Sequence, residues 1–157
     1  MTTQETLTPR GLAYSELVIE VFRLNGLLLS AGDELAKPSG LTSARWQVLG
    51  VIDHQPATVA DVAHTMGLTR QSVRQTVEAL VGAGLVSFHP NPRHRRAKLL
   101  EPTPRGRAAL AEVERRQADW ANRIGGHASL PELTATITML RELGGLLGAV
   151  GQPVGRP

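Results

Sequence analysis

Between Thr58 and Gly84 the chain admits little besides two short helices joined by a tight turn. Val59, Val62, Ala63 and Met66 recur at i, i+3, i+4 and i+7, the stripe of a helix that buries one face. Thr58 stands ahead of them as an N-cap, and Gly67 supplies the left-handed residue that ends the helix. Thr69 caps the next helix, which turns Val73, Val77 and Leu80 inward and closes at Gly82 and Gly84. Two helices linked by a short glycine-bearing turn read as a helix-turn-helix.

Beyond Gly84 the periodicity changes. Residues 85–89 are short and apolar-rich and read as a strand. Asn91-Pro92 and the Arg/His cluster behind it read as a turn, and residues 97–101 as the returning strand. Pro102-Thr103-Pro104 reads as a helix start, Thr103 as cap and Pro104 at the first helical position. The long helix that follows carries Leu110, Val113, Gln117, Trp120 and Ile124 on a near-heptad seam, and Gly125-Gly126 ends it. Ser129 and Glu132 form a capping box for a last helix, which carries Leu133, Ile137, Leu140, Gly144 and Leu147 on one side.

Upstream, Tyr14, Leu17, Val18, Val21, Leu24 and Leu28 share a helix face over residues 14–30, with Gly32, Pro38 and Gly40 interrupting it. Thr42 caps a short second helix whose expected buried stripe is Ala44, Val48, Leu49 and Ile52, and which carries Trp46. The outer helices, about 12–34 and 104–148, have broad apolar faces and no second domain to cover them, so they are expected to pair between two copies. The fold class is mainly α: a winged helix-turn-helix with a two-stranded β wing and N- and C-terminal dimerisation helices. Residues 10–150 are expected to form one domain, with a DNA-binding lobe at about 41–104 and flexible tails at 1–9 and 151–157.

A formal net charge of +3 hides an uneven distribution. Residues 1–68 hold four basic groups against seven acidic, and residues 108–157 hold five of each. Residues 69–107 hold eight basic groups against two acidic, so the positive excess lies over the helix-turn-helix and hairpin. Fifteen of the 17 basic residues are arginine, which grips phosphates and guanine edges bidentately. Such a clustered basic segment is an electrostatic footprint for a polyanion.

On the second helix of the motif, the face opposite Val73, Val77 and Leu80 carries Arg70, Gln71, Arg74 and Gln75, with Thr69 and Ser72 beside them. Residues in the first turns of a recognition helix meet base edges, arginine suiting guanine and glutamine adenine. The hairpin tip bears Arg93, His94, Arg95 and Arg96, with Lys98 just behind, and such a wing can reach the neighbouring minor groove. These eleven residues are the candidate contacts to double-stranded DNA.

Other function classes find little footing. The chain has no cysteine, so disulfides, thiolate metal sites, cysteine nucleophiles and thiol redox sensing drop out, and the cytoplasm is the expected compartment. Its five histidines show no metal-ligand spacing, and there is no glycine-rich phosphate loop or nucleophile elbow; no catalytic residue, metal or cofactor is expected. Aromatic residues make up only 3%, too few for a single-strand stacking platform. No stretch has the length or apolarity of a signal peptide or membrane span. The rival to DNA binding is a winged helix that binds protein. That reading calls for acidic or apolar residues at positions 70, 71, 74 and 75, where this chain has Arg, Gln, Arg and Gln.

Residues 41–106 resemble the MarR family of winged helix-turn-helix transcriptional regulators. "LTSARWQVLGVI" is similar to that family's second helix, "TVADVAHTMGLTRQSVRQTVEALVGAGLV" to its helix-turn-helix, and "NPRHRRAKLLEPTPRG" to its wing and the start of its fifth helix. The flanking helices fit its dimerisation elements. The resemblance implies a homodimer on a pseudo-palindromic operator, usually a repressor released by a small organic ligand of aromatic or phenolic type. It places the ligand near the dimer interface, where Tyr14, Trp46, Asp53 and His54 are the candidates. The family's wing pattern is D-x-R, five residues, then L-T-x-x-G. Arg96, Thr103 and Gly106 match it; His94 replaces the acid and Pro102 the leucine. The His94 exchange implies weaker specific binding or a pH-sensitive wing.

Overall fold

A computed structural model describes residues 7–150. The chain divides within its fifth helix, between Arg115 and Arg116, into two units. The first holds α1 (Pro9–Ala36), a single 3-10 turn (Lys37–Ser39), α2 (Ser43–His54), α3 (Val59–Met66), α4 (Arg70–Gly82), β1 (Val86–His89), β2 (Leu99–Pro102) and the start of α5 (Pro104–Gly125). The second holds the remainder of α5 and α6 (Leu130–Val150). No helix of the described residues is long and apolar enough to cross a membrane.

Threonine capping sets the helix starts. Thr42, Thr58, Thr69 and Thr103 each accept, through the side-chain oxygen, a backbone N–H of the first turn, from Arg45, Asp61, Ser72 and Gly106 respectively. At Thr58 the cap is a full box, because Asp61 accepts the Thr58 backbone N–H at 2.9 Å and its hydroxyl at 2.7 Å. Gly67 closes α3 with φ +64°, a conformation that costs other residues energy, and so sets the turn into α4.

The core of this first unit is Val48, Leu49 and Ile52 of α2, Val62 and Ala63 of α3, Val73, Val77 and Leu80 of α4, Val86 and Leu100 of the hairpin, and Leu110 and Val113 of α5. Each fully buried leucine or isoleucine contributes about 1.5–3 kcal/mol by leaving water. β1 and β2 pair antiparallel, with Val86 opposite Pro102 and Phe88 opposite Leu100. Ala57, just ahead of α3, exchanges two backbone hydrogen bonds with Leu100, at 2.8 and 3.4 Å. The hairpin is thereby fastened to the helix-turn-helix, and the wing stands beside α4.

Several expectations need correction. α1 starts at Pro9 with Thr8 as its cap, inside the expected tail, and runs on to Ala36 through Gly32. Gly32 does not break it: the residue is buried against α2, where an added Cβ would come within 2.6 Å of Ser43 Oγ. Its neighbour Asp33 accepts the Ser43 N–H at 2.6 Å, a cap supplied from another helix. Of the expected α2 stripe Val48, Leu49 and Ile52 are buried, while Ala44 is exposed and Ser43, against α1, is buried in its place. Pro102 ends β2 as a buried residue rather than opening the helix. The tail positions 1–6 and 151–157 lie outside the described residues.

The second unit has a simpler construction. Ser129 donates its backbone N–H at 2.9 Å and its hydroxyl at 2.6 Å to Glu132, the expected box at the start of α6. The large apolar side chains of α6, among them Leu130, Ile137, Met139, Leu146 and Leu147, are exposed. In the first unit Leu12, Ile19, Phe22, Leu24 and Leu27 of α1 are exposed as well.

Candidate nucleic-acid interface

α4 presents its polar face because Val73, Val77 and Leu80 are fixed in the core on the other side. Thr69, Arg70, Gln71, Ser72, Arg74 and Gln75, in and just before its first two turns, are all exposed. Thr69 uses a lone pair on the Ser72 N–H at 3.1 Å and keeps its hydroxyl proton for a partner.

The wing tip is a pair of consecutive turns. Asn91 accepts the Arg93 N–H through its side chain at 3.0 Å and the His94 N–H through its carbonyl at 3.3 Å. His94 O then accepts the Ala97 N–H at 3.3 Å. Arg93, His94, Arg95, Arg96 and Lys98 are all exposed. His94 stands within electrostatic reach of α3: the Thr58 hydroxyl and N–H hold the Asp61 carboxyl below the usual carboxylate range, and His64 and His94 act in the same direction. Where the family pattern has an acid, this chain has a histidine at the exposed wing tip.

Helix and wing enclose a groove of about 420 Å³ lined by Arg70 and Arg74 on one side and Arg96 and Lys98 on the other. Thr58, Val59 and Ala60 at the start of α3, with Val77, Phe88 and Ala97, complete it, and Glu78 supplies one acid. Four of the expected contact residues are thus brought to one concave surface. Thr69, Gln71, Ser72, Gln75, Arg93, His94 and Arg95 lie outside that lining, on the same helix and wing. Phe88 and Glu78 are not among the contact residues expected from the sequence. Their signal is weak: Phe88 alternates with Val86 like any strand residue, and Glu78 falls one turn past the polar run.

The ligand candidates are dispersed in their surroundings. Trp46 packs half-buried against the core. Asp53, two turns along the same helix, accepts from Arg107 of α5 at 2.6 Å. Tyr14 on α1 and His54 at the end of α2 are exposed.

A profile of the MarR family matches residues 39–97, the stretch from the end of the 3-10 turn after α1 into the wing. An uncharacterised protein of Mycobacterium tuberculosis is 37% identical over 129 residues, covering 82% of this chain and 90% of its own. Among solved structures, a MarR family transcriptional regulator from Streptomyces coelicolor superposes with a TM-score of 0.74 at 27% identity, covering 90% of this chain and 100% of its own. The Mycobacterium tuberculosis transcriptional regulator MOSR, solved in complex with DNA, gives a TM-score of 0.72 at 25% identity over 86% of this chain and 98% of its own.

Proposed function

The chain belongs to the MarR family, which comprises DNA-binding transcription regulators rather than enzymes, and we propose that it binds a pseudo-palindromic operator in double-stranded DNA as a homodimer and represses until a small ligand releases it. The observation that carries this is the groove whose two walls place Arg70 and Arg74 of α4 opposite Arg96 and Lys98 of the wing. A recognition helix in the major groove and a wing at the adjacent minor groove leave one sugar–phosphate strand between them. Four cations on facing walls suit that strand. The DNA complex of MOSR supports the same reading for a chain of this fold.

In this reading Thr69, Arg70, Gln71, Ser72, Arg74 and Gln75 meet the major groove, and Arg93, His94, Arg95, Arg96 and Lys98 meet the backbone and minor groove. The exposed apolar side chains of α1 and of α6 are far more than a lone chain in water retains, which favours burial against a second copy. The protein acts in the cytoplasm. The releasing ligand is a small aromatic or phenolic molecule seated near Tyr14, Trp46, Asp53 and His54; the half-buried indole of Trp46 is the support for an aromatic guest.

Fluorescence anisotropy with a duplex from upstream of its own gene tests the DNA reading. The log of the affinity falls linearly with the log of salt concentration when phosphates are neutralised. Arg74→Ala is expected to cost about 1–3 kcal/mol on the operator and far less on random duplex. Arg96→Ala weakens both alike. An Arg74→Ala protein that binds operator and random DNA as the wild type does refutes the assignment of α4. Removing residues 130–157 tests the dimer: monomers or insoluble chain are expected on size-exclusion chromatography, and a well-folded dimer rejects the terminal helix as part of the interface.

A further inference from the structure

One side chain in the basic groove is not explained by charge. Phe88 is 43% exposed, although it shares a face of the hairpin with Val86, Leu100 and Pro102, all buried. The inner face of the wing thus runs on past the core, and its last residue opens into the groove between Arg70 and Arg74 on one side and Arg96 and Lys98 on the other. The Lys98 ammonium lies over the Phe88 ring, 5.8 Å from its centre. At that distance an aromatic face attracts a cation and limits where it can point.

A DNA strand is itself amphipathic, with charged phosphates alternating with the apolar edges of deoxyribose. A groove lined by cations alone would satisfy the first and leave the second against polar groups. We propose that Phe88 is a DNA-contacting and positioning residue: its ring packs on a deoxyribose of the strand between the two grooves and holds Lys98 toward the adjoining phosphate. Phe88 thereby fixes how deep the strand sits, so that Arg70 and Arg74 reach into the major groove while Arg96 reaches its phosphate on the other side. This rests on the DNA-binding reading above and adds to it a residue without charge or hydrogen-bonding capacity.

The experiment is anisotropy on one fixed duplex with the full chain, comparing wild type with Phe88→Ala, Phe88→Leu, Lys98→Ala and the double variant Phe88→Leu/Lys98→Ala. Phe88→Ala is expected to weaken binding about tenfold, the effect of losing the ring and the restrained lysine together. Lys98→Ala lowers the salt slope by about one. In the Phe88→Leu background, which keeps a strand-compatible apolar side chain, Lys98→Ala costs clearly less than in the wild type, because the lysine is no longer held. A structural role for Phe88 would not produce that coupling. Phe88→Ala binding within twofold of wild type while Arg74→Ala still weakens binding overturns the proposal and leaves the DNA reading standing. So does a Lys98→Ala loss that is equal in both backgrounds. Wild-type protein that binds no duplex at low salt overturns both.

Discussion

Gly106→Ala is expected to unfold the DNA-reading lobe at moderate temperature. Gly106 sits in the first turn of α5, where the helix crosses the turn between α4 and β1. A Cβ built there would run into the Leu85 carbonyl oxygen and lie 3.1 Å from its carbon. The obstacle is backbone, so no rotamer relieves it. The place cannot drift either. Thr103, three residues back, donates its N–H to the Leu85 carbonyl at 3.0 Å and its hydroxyl to the Gly84 carbonyl at 2.7 Å, and its hydroxyl oxygen accepts the Gly106 N–H at 3.1 Å. An added methyl must break this lock or lift α5 from Leu49, whose Cδ2 is 3.5 Å from the same point. Strain of that kind exceeds about 4 kcal/mol, a large part of a typical domain's 5–15 kcal/mol. The thermal midpoint should fall by about 8–16 °C, reckoned at about 2–4 °C per kcal/mol for a chain of this size. A midpoint within a few degrees of wild type would show that the turn yields more easily than its hydrogen bonds imply.

That lock also gives the T-x-x-G part of the wing pattern a physical meaning. Threonine is needed because one hydroxyl both caps α5 and holds the preceding turn, and glycine because the helix passes too close to a carbonyl for any side chain. Pro102, by contrast, is accommodated without loss. It ends β2 buried opposite Val86, so a residue lacking an N–H still fills the apolar place there.

What could be read from the chain was whatever rests on neighbours within a turn or two. Thr42, Thr58, Thr69, Thr103 and Ser129 announce helix starts because a cap is a contact across three residues. Gly67 announces the motif's turn because its conformation is its own. Val73, Val77 and Leu80 point one way, and so Arg70, Gln71, Arg74 and Gln75 must point the other. Features set by distant partners were illegible. Gly32 looks like a breaker until Ser43 is seen against it, and Ala44 looks buried until Asp33 is seen capping α2 from outside. Asp53 reads as a candidate ligand contact, yet Arg107, 54 residues away, holds it. Phe88 has the alternation of a core residue, and only where the wing leaves the core does its ring become part of a site. The site itself was therefore half legible: its charges could be named, while the groove that gathers four of them depends on Ala57 and Leu100 tying the hairpin beside α4.

Removing those four charges together is expected to abolish specific and non-specific DNA binding while leaving the fold alone. Arg70, Arg74, Arg96 and Lys98 are all exposed, and none is ion-paired within the described residues, so alanine at each leaves no buried partner stranded. Thermal unfolding of the quadruple variant should stay within a few degrees of wild type. On DNA the loss is large. Each charged contact contributes about 1 kcal/mol or more, so four account for at least about a thousandfold in affinity. The salt dependence is the more telling readout, because each neutralised phosphate contributes about 0.9 to the slope of log affinity against log salt. Arg74 reads a base edge, so the other three cations on one strand predict a slope shallower by about 2.7. Single variants of Arg70, Arg96 and Lys98 should each remove about one unit. A quadruple variant that keeps the wild-type slope would mean that the groove faces away from the phosphates, and Arg93 and Arg95 at the wing tip would then be the residues to replace. If instead the slope falls by about one for all four changes, one cation carries the contact and the groove holds no continuous strand. A drop near the full value requires both walls to touch DNA at once, which is what places α4 and the wing on either side of a single backbone.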